Sequence, residues 1–88
     1  MNIVYTGRFK KDYKRMVSRD KDASKLWEII EKLLEGKPLP ERCQDHPLSG
    51  NWAKRRDCRI EPDWILIYKV EGDDLILERT GTHSDLFR

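Results

Sequence analysis

Two histidines are the residues of this chain best suited to acid–base chemistry. His46 follows Asp45 in a proline-containing stretch, and His83 lies in the segment GTHSDLF near the C-terminus. A histidine side chain titrates near neutral pH, so a pair can share the roles of general acid and general base. RNA cleavage needs this division, because a base removes the proton from the ribose 2′-OH and an acid protonates the departing 5′ oxygen. We therefore take His46 and His83 as candidates for breaking a ribose–phosphate linkage.

Charged residues next to the most apolar segment could assist these histidines. The stretch RDCRIEPDWILIYKV, residues 56–70, passes from charges through a Glu-Pro-Asp corner into that segment. Asp57 and Asp63 could orient the histidines or raise their basicity. Phe87 could stack on a base. Cationic groups stabilise the charge that builds on phosphoryl oxygens, and the candidates for this role are Lys54, Arg55, Arg56, Arg59 and Arg79.

Structural roles are equally open to several of these residues. Arg55, Asp57 and Arg59 could form cross-strand ion pairs on a solvated face. Phe87 could instead fill the lower end of the core. The large aromatic rings Trp52 and Trp64 favour packing over base stacking.

A zinc site is a further alternative. Its four ligands would be Cys43, His46, Cys58 and His83. A structural zinc site usually shows two close pairs of ligands, and only Cys43 and His46 are closely spaced here. The spacing therefore argues against a metal, and we predict neither a metal site nor another cofactor.

The length and composition limit what the chain can be. It has 88 residues, enough for one domain with a small core. Hydrophobic residues make up 38% and charged residues 39%, so the surface is highly charged and suits a polar partner. The net charge is only +2, so nucleic-acid binding would depend on local clusters. No segment is typical of a signal peptide or a membrane span, which predicts a cytoplasmic protein with two free cysteines and no membrane contact.

The N-terminal half reads as one strand followed by two helices. Ile3 and Val4 favour a strand over residues 2–5, and Thr6 can cap a helix over residues 8–19. A second helix, over residues 23–35, has Asp22 as its cap and Gly36 at its end. The first helix has a basic outer face that could grip RNA phosphates, formed by Lys10, Lys11, Lys14 and Arg15.

The C-terminal half reads as a loop, three strands and a short tail. Two strands, over residues 53–60 and 64–70, are separated by a corner at Pro62, and the third covers residues 75–80. The order β-α-α-β-β-β predicts an α+β fold, with two N-terminal helices packed on one face of a small, mainly antiparallel four-stranded sheet. The opposite face would be open. It would carry Asp57 and Arg59 if Cys58 and Ile60 point towards the helices.

Three blocks of sequence resemble a known family. DHPLSGNW, RDCRIEPDWILIYKV and ERTGTHSDLF are similar to the signature blocks of the YafQ branch of the RelE/ParE toxin superfamily. The resemblance extends over residues 1–88 and implies a single RelE-like toxin domain. It also implies a toxin of a bacterial type II toxin–antitoxin system, which enters the ribosomal A site and cuts mRNA there. The implied partners are a cognate antitoxin, ribosomal RNA and mRNA, with operator DNA contacted indirectly through the antitoxin.

The resemblance also implies roles for particular residues. His46 and His83 would be the general acid and base, in an order that stays open. Asp57 and Asp63 would support catalysis. Phe87 would position the nucleotide.

One position departs from the branch, which usually has a histidine where this chain has Arg59. Arginine cannot act as a base, because its pKa stays above about 12. Arg59 could stabilise charge on the phosphate, or the substitution could reduce activity. The substitution keeps open a non-catalytic alternative, a protein that only binds the antitoxin and operator DNA. Because the superfamily also includes gyrase-poisoning toxins, an inhibitor of a protein target such as gyrase is a second alternative. The blocks that contain His46 and His83 argue against the gyrase alternative.

Overall fold

The computed structural model describes residues 1–87, which form a five-stranded mixed sheet and three α-helices. The helices are α1 (Gly7–Ser18), α2 (Ala23–Leu34) and α3 (His83–Leu86). The strands are β1 (Asn2–Tyr5), β2 (His46–Pro47), β3 (Arg56–Glu61), β4 (Trp64–Glu71) and β5 (Asp74–Gly81). Two 3-10 turns, Glu41–Cys43 and Gly50–Trp52, flank β2.

The strands lie in the order β1-β5-β4-β3-β2. β1 runs parallel to β5, and the other three pairs are antiparallel. The α+β class is confirmed, but the four-stranded sheet is wrong. The additional strand is β2, which places His46 opposite Asp57. It has only two residues, one of them Pro47, so it shows none of the alternation by which strands are recognised.

The first two helices begin where their capping residues indicate. The Thr6 hydroxyl accepts a hydrogen bond from the Phe9 N–H at 3.0 Å, and the Asp22 carboxylate accepts one from the Ser24 N–H at 3.0 Å. Gly36 follows α2 with a φ of +67°, as expected for a glycine that ends a helix. None of the helices within residues 1–87 is long and apolar enough to cross a membrane.

Both long helices pack on one face of the sheet, as predicted. Phe9 and Met16 from α1 and Leu26, Ile29 and Ile30 from α2 are buried there. They meet side chains from the three longest strands: Cys58, Ile60, Trp64, Leu66, Tyr68, Leu75 and Leu77. Cys58 and Ile60 therefore face the helices, which directs Asp57 and Arg59 to the opposite face.

The opposite face is only partly open, which corrects the expectation of a bare sheet surface. A second cluster covers its middle, formed by Ile65, Ile67, Leu86, Leu48 and Trp52. Its covering residues come from α3 and from the segment between β2 and β3. The predicted C-terminal tail is therefore a short helix, and the predicted strand from residue 53 begins only at Arg56.

Candidate active site

A buried carboxylate, Asp57, lies at the centre of the candidate site. Asp57 is in β3 on the face opposite the long helices, and only 5% of it is exposed. Burial raises the pKa of this carboxyl group, whereas the charges of His46, His83 and Arg59 act to lower it. Three side chains that can carry positive charge therefore act on one carboxylate, although they come from three separate elements of the chain.

The ring of His46 is held by the backbone just before it. Its Nδ1 lies 2.6 Å from the carbonyl oxygen of Gln44. A carbonyl only accepts hydrogen bonds, so Nδ1 donates and Nε2 is left for a substrate. Gln44 has a φ of +45°, the left-handed region, as the C-cap of the turn Glu41–Cys43. The chain thus makes a sharp bend immediately before the exposed His46.

His83 is held by Asp63 in the corner between β3 and β4. One oxygen of the Asp63 carboxylate accepts hydrogen bonds from the His83 backbone N–H at 3.1 Å and from its Nδ1 at 3.0 Å. These bonds lower the pKa of Asp63. With Nδ1 engaged, Nε2 is the nitrogen available to a substrate. The sequence predicted that an aspartate could orient a histidine, and this contact is such an arrangement.

The short helix α3 is fixed in place by Asp85, a residue that sequence reasoning missed. Its carboxylate accepts from the Thr82 N–H at 3.0 Å, while the Thr82 hydroxyl accepts from the Asp85 N–H at 3.1 Å, a reciprocal helix cap. Arg19 at the end of α1 donates two hydrogen bonds to the same carboxylate, at 2.8 and 3.3 Å. Arg19 and Thr82 together hold the pKa of Asp85 well below its usual range. The spacing of Thr82 and Asp85 is a capping signal that the sequence did show.

Phe87 and Arg59 border the site. Phe87 is 39% exposed, and its ring centroid lies 6.1 Å from that of His83 and 6.2 Å from that of Trp52. Phe87 therefore does not fill the core, a role that its neighbour Leu86 takes. Arg59 is half-buried and forms no ion pair with any carboxylate in residues 1–87, so its guanidinium group can take up an anion.

Four of the predicted RNA-binding arginines already have carboxylate partners. Arg79 donates to the buried Asp12 at 2.6 and 3.1 Å, and Arg15 donates to it at 2.9 Å. Arg55 pairs with Glu78, and Arg56 with Asp45. These pairs hold elements of the fold together, so the four arginines could add only their unused donors to RNA binding.

The predicted RNA-binding lysines lie on the surface. Lys10, Lys11 and Lys14 are exposed along α1, and Lys54 is exposed after the turn Gly50–Trp52. Lys10 and Lys14 border an apolar groove of about 470 Å³ whose floor is formed by aromatic rings of β1, α1 and α2. The lysines of α1 thus lie beside an apolar surface and on a different part of the protein from Asp57, which lies on the face that α1 does not cover.

The alternative zinc site does not form. Cys43 and Cys58 are both buried in the core under the helices, and burial raises the pKa of both thiols. The two histidines belong to the site on the other face. Within residues 1–87, no three His, Cys, Asp or Glu side chains are grouped so that they could hold a metal ion.

The fold is that of small α+β toxins of known structure. A crystal structure of YafQ from E. coli strain BL21(DE3) matches it with a TM-score of 0.94 and 45% sequence identity, over 99% of this chain and 98% of the other. A crystal structure of the E. coli DinJ-YafQ complex matches with a TM-score of 0.92 and 46% identity, over 99% of this chain and 98% of that one.

The sequence comparisons identify the family within this class of toxins. Residues 1–88 match the model for the bacterial toxin of type II toxin-antitoxin system, YafQ. The chain is 47% identical over 87 residues to the mRNA interferase toxin YafQ of Escherichia coli strain K12, which covers 98% of this chain and 95% of that protein. It is 36% identical over 91 residues to the putative toxin YafQ of Haemophilus influenzae. The chain belongs to the YafQ family of type II toxins.

Proposed function

We propose that this chain is an mRNA interferase, an endoribonuclease that cuts mRNA in the A site of the ribosome. The observation that carries the proposal is the buried carboxylate of Asp57, on which the charges of His46, His83 and Arg59 all act. Supporting it, the relative from E. coli strain K12 is named an mRNA interferase toxin. The cluster supplies two proton-transfer groups and one phosphate-binding group on one face of the sheet.

The cut follows from attack of the ribose 2′-oxygen on the adjacent phosphorus. The new P–O bond closes a 2′,3′-cyclic phosphate as the bond to the 5′ oxygen breaks. We assign His83 as the base, because the Asp63 carboxylate on its Nδ1 stabilises the positive charge that the ring gains when Nε2 takes the 2′-OH proton. His46 then donates a proton to the departing 5′ oxygen.

Arg59 and Asp57 provide the electrostatic part of the mechanism. Arg59 has no carboxylate partner within residues 1–87 and can direct two N–H groups to the phosphoryl oxygens, where negative charge increases in the transition state. Asp57 lies opposite His46 on the neighbouring strand and two residues before Arg59, so its carboxylate can attract Arg59 and a protonated His46. The charges of His46, His83 and Arg59 offset only part of the cost of burying this carboxylate, since burial still raises its pKa.

The decisive experiment measures mRNA cleavage on translating ribosomes by primer extension. His83→Ala should lower the rate by roughly 10²- to 10⁴-fold, the usual contribution of a general acid or base. Its thermal unfolding should be close to that of the parent, because His83 is exposed. Lys37→Ala, a change at an exposed loop residue, serves as the control. Cleavage by His83→Ala at the parental rate would remove His83 from the mechanism.

A second substrate separates the two proton-transfer roles. In an mRNA with sulfur in place of the 5′ bridging oxygen, the leaving group needs no protonation. This substrate should restore cleavage by His46→Ala but not by His83→Ala. The reverse pattern would exchange the acid and the base.

Arg59 also favours a second candidate, an attenuated or non-catalytic toxin that binds its antitoxin without cutting RNA. Arginine stands where the branch usually has a histidine, and it cannot accept a proton at neutral pH. Under our first proposal the parent cleaves mRNA, and Arg59→His changes the rate only moderately. Under the second, the parent leaves ribosome-bound mRNA intact and Arg59→His introduces cleavage. A gyrase supercoiling assay on the parent tests whether a protein is the target instead.

The proposed partners follow from the same assignment. The chain would bind ribosomal RNA and mRNA during cleavage and a cognate antitoxin when inactive, with operator DNA contacted through that antitoxin. The crystal structure of the E. coli DinJ-YafQ complex contains a relative bound to another protein and supports the antitoxin proposal. Co-purification with the product of a neighbouring gene tests it directly.

A further inference from the structure

A second concave site lies beside the candidate active site. It has a volume of about 390 Å³ and is formed where the start of α1 meets β5 and the turn Gly50–Trp52. The side chains that matter here are Arg8, Asn51, Trp52, Arg55, Glu78 and Arg79. Neither the acid–base residues nor the Asp57 cluster belong to this pocket, so the mechanism above leaves it unused.

The charges of the pocket leave one cation available. Arg55 is paired with Glu78, and Arg79 is paired with the buried Asp12. Arg8 is exposed and forms no ion pair with a carboxylate of residues 1–87. The pocket therefore has roughly one positive charge without a partner, together with the remaining N–H donors of two fixed arginines. One phosphodiester group, with a single negative charge, matches this surface.

Trp52 connects the pocket to the acid–base residues. Its ring forms one wall of the pocket and also meets the ring of Phe87 edge-on at 6.2 Å. The Phe87 ring lies 6.1 Å from that of His83. The row of rings His83, Phe87, Trp52 thus leads from the proposed cleavage site into the pocket. Trp52 is also packed against the second core cluster with Ile65 and Ile67, so its position is set before any ligand binds.

We propose that this pocket is a nucleotide subsite that holds the residue of the RNA strand next to the cleaved linkage. Arg8 binds its phosphate, the face of Trp52 stacks on its base, and the side-chain amide of Asn51 can hydrogen-bond to the base edge. That the ligand is the mRNA substrate rests on the proposed function. The subsite would fix the strand on one side of the scissile phosphate, which helps to align the 2′-oxygen for attack.

The test uses binding, so that it does not depend on cleavage. A tetranucleotide of 2′-O-methyl RNA cannot be cut and is titrated into the full chain, while the indole N–H resonances of the tryptophans are followed by NMR. The Trp52 resonance should shift. Arg8→Ala should weaken binding and make the salt dependence of log K shallower by about 0.7, the value for one phosphate contact with a single strand. Lys37→Ala, which removes one positive charge from a distant exposed loop, should leave both unchanged.

Variants at Trp52 test the stacking contact. Trp52→Ala should bind the oligonucleotide roughly 5- to 150-fold more weakly, and Trp52→Phe should keep most of the affinity and also preserve packing. The proposal is overturned if the oligonucleotide does not bind at millimolar concentration or leaves the Trp52 resonance in place. It is also overturned if Arg8→Ala and Lys37→Ala behave alike. If the parent nevertheless cuts ribosome-bound mRNA, only the subsite is lost and the nuclease proposal stands.

Discussion

The pair formed by Asp12 and Arg79 gives the most quantitative test of how the structure is held together. Asp12 is buried in α1 and accepts hydrogen bonds from Arg79 at 2.6 and 3.1 Å, from Arg15 at 2.9 Å and from the Thr80 N–H at 3.2 Å. The side chains of Asp12 and Arg79 are only 5% and 17% exposed. Removal of one partner therefore leaves the other charge largely buried and unpaired.

We expect Asp12→Ala to lower the free energy of unfolding by about 3–5 kcal/mol, the usual loss when a buried ion pair is broken on one side. In a domain of this size each kcal/mol corresponds to about 4–8 °C in Tm, so the midpoint should fall by about 12–40 °C. Asp12→Asn should be milder, because the amide oxygen can still accept the Thr80 N–H. Urea denaturation at neutral pH measures each difference.

A double-mutant cycle isolates the contact itself. Asp12→Asn, Arg79→Gln and the double variant should give a coupling energy of about 0.5–3 kcal/mol, because the two groups touch. The matched control is the exposed pair Glu35–Lys37, whose neutralisation by Glu35→Gln should leave the midpoint unchanged. A coupling energy indistinguishable from zero would refute a stabilising role for the Asp12–Arg79 pair. Arg79 would then be available mainly for RNA binding.

Two further predictions concern pH and the carboxylates of the site. The pKa of Asp85 is lowered by Arg19 and Thr82, so the stabilising contribution of this carboxylate is present above its ordinary pKa of 3.8 and is lost as the pH falls. Asp85→Asn should therefore lower the free energy of unfolding by about 1–3 kcal/mol at pH 7 and by progressively less in acid. An equal loss at all pH values in urea titrations would contradict this. The pKa of Asp57 is raised by burial, so the favourable contribution of this group is complete below pH 3.8 and declines as the pH rises through the raised value. The stability of Asp57→Asn relative to the parent should therefore increase as the pH rises towards 7, and the variant should cleave mRNA more slowly than the parent. A relative loss of stability over that pH range would show that the nearby positive charges outweigh burial.

Much of the fold could be read from local signals in the sequence. The caps Thr6 and Asp22 and the terminal Gly36 mark helix ends through short-range hydrogen bonds and a left-handed φ, which depend on only a few neighbouring residues. The apolar segment after Asp63 was also recognisable as a strand from its own residues, and it is the central strand β4. The parallel pairing of β1 with β5 links distant parts of the chain and has no local signal.

The remaining features of the fold and of the candidate site depend on contacts between residues far apart in the sequence. Asp12 and Arg79 are 67 positions apart in sequence, so no spacing rule connects them. The cover over the second face comes from irregular segments around Leu48 and Trp52, which show no periodicity. Asp85 differs from these residues, because its position three residues after Thr82 is a local capping signal in the C-terminal segment.

The position of β5 constrains when the molecule can assemble. β5 lies between β1 and β4, and β1 has no other neighbour in the described sheet. During synthesis, β1 therefore has no strand to pair with until residues 74–81 have been made, and α1 cannot pack against β5 before then. The helix bearing His83 is made later still, directly after β5. A nascent chain on its own ribosome thus lacks one of the two histidines of the proposed acid–base pair until this segment has been translated.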